Sequence, residues 1–227
     1  MAKPAGSRHD ALMDDAAFDR ALIAAAFQIA ADQGWRAVSV AASARTADLP
    51  LAKARERFPV RAAILMRFGR LADTAALAET PSDGSARDRL FDLLMRRIDA
   101  LQAHRAGVLA LLRALPGDPP TALLLSLATR RTMRWMLDAT GIPSRGLAGE
   151  LRVKGLVAVW LWTIRAWQSD ETEDLSATMA ALDTALRRAG QAAGWLGGRA
   201  SAPDVPQADT PPEATGEPEP PAPDTPT

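Results

Sequence analysis

An all-α fold of about nine helices is what this sequence predicts, on three observations. Apolar residues recur every three to four positions along most of the chain. Phe18, Leu22, Ala25, Ala26 and Ile29, for instance, fall on one face of a helix. No stretch alternates apolar and polar residues for long enough to make a strand. Helix-stopping and helix-starting residues (Gly34, Ser39, Ser85, Pro116-Gly117, Gly141 and Pro143) divide the periodic segments at regular intervals.

The elements follow in order. A first helix begins near Ala16 and stops at Gly34, where a residue free to adopt positive φ suits a helix C-terminus. Trp35 and Val38 plug the next turn, and Ser39 is a good N-cap for a short helix over about 40–46. Thr46-Ala47-Asp48 makes a tight turn, with Asp tolerating positive φ better than most residues. A second short helix runs from about Pro50, placed where its missing N–H costs nothing, to Arg57. Phe58-Pro59 closes this unit, and a longer helix covers about 61–78. Ser85 with Asp88 three residues on forms a capping-box variant for a helix through Leu101. Further helices are expected over about 106–115, 120–140, 145–168 and 172–195. From Gly197 the composition turns Pro- and acid-rich, with Val205 its one aliphatic side chain larger than Ala, so 198–227 should be a disordered tail. The domain reading is thus a flexible 1–15, a three-helix unit at 16–76, a helical body at 77–197 and the tail.

Composition narrows the function. The 227 residues include no Cys, two His and no Tyr. Disulfides, thiol catalysis and Cys-based metal sites are excluded, and neither a metal nor another cofactor is expected. No carboxylates pair with a nucleophile, so no enzyme is expected. The apolar run 156–164 is too short for a bilayer, which needs roughly 20 residues, and no secretory leader is legible. The chain reads as soluble and cytoplasmic. Its net charge of zero conceals an asymmetry. Residues 36–70 carry eight basic side chains against Asp48 and Glu56, whereas the tail from Ser201 has six acidic residues and no basic one. A basic patch on a small helical unit is the footprint of an anionic partner.

The two short helices and their Ala47-Asp48-Leu49 turn outline a helix-turn-helix. Over 16–70 the chain resembles the TetR family of bacterial repressors. The resemblance rests on "AAFQIAADQGWRAVSV" (25–40), "ADL" (47–49) and "RERFPVRAAIL" (55–65). Three positions depart from the family pattern: Asp48 stands for the turn Gly, Arg55 for the usual Tyr, and Ser43 for an apolar residue. The resemblance implies a homodimeric transcriptional regulator of repressor type that binds a palindromic operator in double-stranded DNA, with a variable helical body. The residues expected to meet DNA are Ser39, Arg45, Pro50, Leu51, Lys53, Arg55, Arg57 and Arg61. Lys53 is the strong donor near the start of the second short helix, so phosphate contacts should outweigh base reading.

The body suggests a ligand. Met and Trp density points to an apolar small molecule or lipid lined by Leu94, Met95, Ile98, Trp135 and Trp160. The helix at 145–168 is apolar all round and so should be buried on every side, in a pocket wall or a dimer seam. By the resemblance, 145–168 and 172–195 make the homodimer. The stretch 165–189 is also similar to the TetR-fold coenzyme-Q biosynthesis proteins, through Asp174, Thr178, Leu182, Asp183 and Leu186. That similarity implies the alternative: a lipid-binding accessory protein of ubiquinone biosynthesis whose helix-turn-helix no longer works on DNA.

Overall fold

A computed structural model describes residues 14–78 and 84–193. Among them are nine α-helices and no strand: α1 (Asp15–Gln33), α2 (Val40–Thr46), α3 (Leu51–Arg57), α4 (Arg61–Leu77), α5 (Ala86–Gln102), α6 (Arg105–Ala114), α7 (Pro119–Ala139), α8 (Gly146–Ser169) and α9 (Ser176–Ala193). Short 3-10 turns at Trp35–Ala37 and Leu115–Gly117 join α1 to α2 and α6 to α7. The expected tail at 198–227 and the start of the chain through residue 13 lie outside the described residues. Among those described, no single helix is long and apolar enough to cross a membrane.

Local chemistry sets the boundaries. Gly34 takes φ +84°, a backbone state that costs glycine little, and α1 stops there. Ser85 and Asp88 close a reciprocal capping box at the start of α5. The Asp88 carboxylate accepts from the Ser85 amide at 3.0 Å, and the Ser85 hydroxyl accepts from the Asp88 amide at 3.3 Å. Asp118 caps α7 by accepting from the Thr121 amide at 3.2 Å.

The final helix starts later than the sequence suggests. Leu175 is buried at φ +54°, which breaks the helical path, and α9 begins at Ser176. The buried Asp170 carboxylate organises this bend. It accepts from the Thr172 hydroxyl at 2.6 Å and from both the amide and hydroxyl of Thr178 at 2.7 Å. These bonds, with the Thr172 hydroxyl foremost, hold the Asp170 carboxyl far below the usual carboxylate range. The residues of the 165–189 stretch therefore have structural work. Thr178 bonds Asp170, Leu182 and Leu186 are core, and Asp183 pairs with Arg87.

One continuous core runs through the described helices. Phe18, Leu22, Trp35 and Phe58 fill it beneath the short helices. Leu90, Leu94, Ile98, Met133, Met136, Leu156 and Trp167 fill it in the body. The two regions meet where α6 crosses α1 with almost nothing between the backbones. A Cβ added at Gly107 would lie 2.2 Å from the Phe27 carbonyl oxygen.

Gly107 yields a test of sign. Replacing a helix-interior glycine by alanine ordinarily gains roughly 0.5–1 kcal/mol. Here Gly107→Ala should instead destabilise by about 2–3 kcal/mol, since the methyl needs the α1–α6 crossing to open; chemical denaturation measures the difference. Acid provides another. The folded-state pKa of Asp170 is depressed, so its stabilisation is present above the ordinary carboxylate range and is lost as pH falls through that range and below. The isosteric Asp170→Asn should therefore lower the melting temperature at neutral pH and narrow its gap to the parent protein as the solution is acidified.

Candidate functional site

The helix-turn-helix is built from small residues and two capping devices. Ser39 caps α2, its hydroxyl accepting from the Ala42 amide at 3.1 Å. Ser43 occupies a fully buried position without leaving its hydroxyl unsatisfied, because it donates to the Ser39 carbonyl at 2.9 Å. Asp48 turns the chain at φ +52°. The Leu49 amide then reaches back to the Ala44 carbonyl at 2.8 Å. Ala44 and Ala54, both buried, let α2 and α3 approach closely, and Phe58 and Leu49 lock α3 from below. Pro50 stands as the N-cap of α3, one position ahead of its expected place inside the helix.

The basic side chains do not all face outward. Asp19 on α1 is 3% exposed, and two guanidiniums close over it. Arg57 donates through Nε at 2.7 Å and Nη2 at 2.9 Å, and Arg67 approaches to 2.7 Å. Arg57 also pairs with Asp15 at 2.6 Å. Its hydrogen bonds to Asp19 raise the Arg57 pKa above the ordinary range. Lys53 pairs with Asp15 at 2.9 Å and lies 4.9 Å from the Phe18 ring centroid. Arg61 pairs with Asp118 at 3.0 Å and stacks over Trp35. Three of the residues expected to meet DNA (Lys53, Arg57 and Arg61) are thus committed to carboxylates of α1 and of the residue that caps α7. The basic surplus read over 36–70 omitted α1, whose Asp15 and Asp19 engage Lys53, Arg57 and Arg67.

What remains on the outer face is Arg45, Leu51, Ala52 and Arg55, with Pro50 partly covered and Ser39 exposed but occupied as a cap. Arg45 and Arg55 make no ion pair among the described residues, and Leu51 is 50% exposed. Asp48 and Glu56 are also exposed beside them. This surface offers two free guanidiniums, one isobutyl group and few base-reading donors.

The body departs from the expected apolar lining. Leu94 and Ile98 are fully buried, Trp160 nearly so and Met95 partly, but Trp135 is 61% exposed on the outer side of α7 and does not join them. Among the buried residues of this region sits a charge that the sequence reading missed. Arg97 forms an ion pair with Asp73 on α4 and lies 5.4 Å from the Trp160 ring centroid. Asp73 also accepts from the Thr132 hydroxyl at 2.9 Å. Burial pushes the Arg97 guanidinium down to about 10. The signal available was an arginine between Leu93, Leu94 and Ile98 on an otherwise apolar face.

Nor is α8 buried on every side within one copy of the chain. Leu147, Leu151, Lys154, Ala158, Leu161 and Arg165 form an exposed stripe with alternating four- and three-residue spacing, and Trp162 beside it is 55% exposed. That spacing is one face of the helix, and four of its six side chains are apolar. Neighbouring α7 exposes Leu123, Leu127 and Trp135. The outer residues described on α9 are instead small, polar or charged: Ser176, Ala177, Ala180, Arg187, Arg188 and Gln191.

No protein-family model and no curated protein matches the chain. Solved structures do. The TetR transcriptional regulator from Nitrosomonas europaea ATCC 19718 is 23% identical, over 77% of this chain and 98% of that one, with a TM-score of 0.63. A protein from Rhodococcus sp. assigned to the TetR-family transcriptional regulators is 20% identical, over 75% of this chain and 97% of that one, with a TM-score of 0.55. The chain has the TetR fold, all-helical, as its N-terminal motif and helix count led us to expect.

Arg57 should behave as a structural residue. Arg57→Ala leaves Asp19 buried with one cation fewer and is expected to cost roughly 2–3 kcal/mol in denaturation. Arg55→Ala, two residues away on the outer face, should change stability by less than about 0.5 kcal/mol.

Proposed function

We propose that this protein is a dimeric DNA-binding regulator of repressor type that grips its operator chiefly through phosphates. The observation that carries the reading is the intact helix-turn-helix: a capped α2, a positive-φ turn at Asp48, and α3 presenting Leu51, Ala52 and Arg55 outward beside Arg45. A helix-turn-helix places the start of its second helix in the major groove. There Leu51 and Ala52 suit thymine methyls, while Arg45 and Arg55 suit phosphate or a guanine edge. In this reading Lys53, Arg57 and Arg61 hold the reading head in shape, and their free charge is not what meets DNA.

The test is binding of the purified protein to genomic fragments across a salt series. Affinity should fall with a log–log slope of about −0.9 per phosphate contact. Arg45→Ala and Arg55→Ala should each flatten that slope by about one contact while leaving the melting temperature unchanged. Absence of binding to every fragment at low salt would falsify the reading.

Dimerisation belongs to the same proposal. A palindromic site needs two heads at fixed spacing, and the exposed α8 stripe is the surface suited to set it. Leu123 and Leu127 of α7 extend its apolar character more than the described face of α9 does. Leu151→Asp or Leu161→Asp should convert a dimer to a monomer in light scattering at micromolar concentration, with helicity retained. An effector held among Leu94, Met95, Ile98 and Trp160 would lie beside the Arg97–Asp73 pair, from which α4 runs back to the head at Arg61. Ligand there would shift the population of head spacings. Titration of tryptophan fluorescence with lipophilic compounds checks this part. The lipid-binding alternative draws no separate support from 165–189, because its named residues serve the fold.

A further inference from the structure

Granted the DNA-binding reading, on which this rests, we propose that the Glu56 carboxylate selects a cytosine in the major groove of the operator. Glu56 lies on the outer face of α3. Leu51, Ala52, Arg55 and Glu56 are exposed, Lys53 and Arg57 are partly covered, and Ala54 is buried. Residues four apart share a helix face, so Glu56 follows Ala52 by one turn on the surface that Leu51 begins. The exposed charges of the α2–α3 face are Arg45 and Arg55 against Asp48 and Glu56, a balance of zero. Asp48 stands in the turn ahead of α3, so Glu56 is the acid that the helix itself presents.

The carboxylate is free because its natural partners are engaged elsewhere. Lys53 is three residues earlier, a spacing that ordinarily pairs lysine with glutamate on a helix. Its ammonium instead lies 2.9 Å from Asp15 and over the Phe18 ring, against α1. The positions four residues to either side are Ala52 and Val60, and the one three residues on is Pro59. Arg55 and Arg57 adjoin Glu56 in the chain, where helical side chains do not face each other, and Arg57 is closed over Asp19 and Asp15. Glu56 makes no side-chain hydrogen bond or ion pair among the described residues.

A carboxylate accepts hydrogen bonds and donates none. Beside DNA phosphates it meets like charge, so on a surface that enters the groove it weakens binding unless a base edge supplies a donor. The major groove offers donors only at the amino groups of cytosine and adenine. Adenine sets its N7 acceptor next to that amino group, and guanine and thymine present acceptors alone. Cytosine is therefore the base that Glu56 accepts from without facing a second acceptor on the same edge. Arg55, on the same face, carries the complementary preference for guanine. The acid thus turns a surface of two guanidiniums and an isobutyl group into one that rejects most sequences.

The test measures base preference and affinity together. The full-length protein selects duplexes from a randomised pool. Affinities of the parent, Glu56→Gln and Glu56→Ala proteins are then read by fluorescence anisotropy on the selected site and on its single-base replacements. In the parent, one position of each half-site should require cytosine, with any replacement weakening binding about fivefold or more. Glu56→Gln, whose amide both donates and accepts, should move the preference there from cytosine to adenine. Glu56→Ala should lose discrimination at that position and bind the replaced duplexes more tightly than the parent does. An unchanged base preference in both variants overturns the inference. So does a gain of equal size on every duplex in Glu56→Ala, which assigns the carboxylate to phosphate repulsion alone. Loss of all binding in both variants gives Glu56 a structural role and overturns it too. Absence of binding by the parent at low salt instead overturns the regulator reading, and this inference with it.

Discussion

A single buried carboxylate organises the helix-turn-helix. Asp19 on α1 has almost no access to water and is held by Arg57 from α3 and Arg67 from α4. A buried ion pair contributes little net stability over an apolar replacement, because desolvation cancels much of the attraction. What it supplies is geometry. A bidentate arginine–carboxylate contact fixes both angle and register, so the end of α3 can sit on α1 in one way. The outward aim of Leu51 and Arg55 follows from that contact and from the small residues at the α2–α3 crossing.

The same economy joins the head to the body. Gly107 lets α6 press on the α1 backbone, and Arg61 at the start of α4 reaches the Asp118 cap of α7. At its other end α4 carries Asp73 to the buried Arg97. One helix thus links the turn behind α3 to the charged centre of the body. In the proposed regulator, a displacement of either end would pass along this helix, as an effector that alters head spacing requires. The body's interior is well packed around that charge, so a ligand entering it must move side chains that now touch.

Charge placement decides which function the surface can serve. Had every basic residue of the short helices faced solvent, a broad nonspecific grip on phosphate would follow. Instead Lys53, Arg57, Arg61 and Arg67 are tied to carboxylates, and Arg45 and Arg55 carry the exposed positive charge of the α2–α3 face, with Asp48 and Glu56 exposed beside them. In the proposed regulator, fewer free cations would mean a shallower salt dependence and a larger share of recognition left to shape, apolar contact and the spacing of two heads. In that proposal the α8 stripe, by setting the spacing of the heads, would contribute to recognition alongside α3.

Local physics was legible in the sequence. Period-3.6 apolar spacing and the capping and turn residues between the segments located the nine helices. Gly34, Ser39, Asp48 and Ser85 marked their ends, since capping and positive φ depend on residues adjacent in the chain. The fold class followed, and so did the helix-turn-helix. Contacts between distant segments were decided by tertiary structure. Arg57 lies 38 residues from Asp19 in the chain, and Arg61 lies 57 from Asp118. No local pattern marks such partners, so basic residues were read as free when they were engaged. The Trp135 indole faces out for a related reason: α7 buries Met133, Met136 and Leu137, and a side chain between them on a helix must point the other way. Ser176 begins the last helix because Asp170 gathers Thr172 and Thr178 around it, a bend that exists only once the chain has folded back on its own carboxylate.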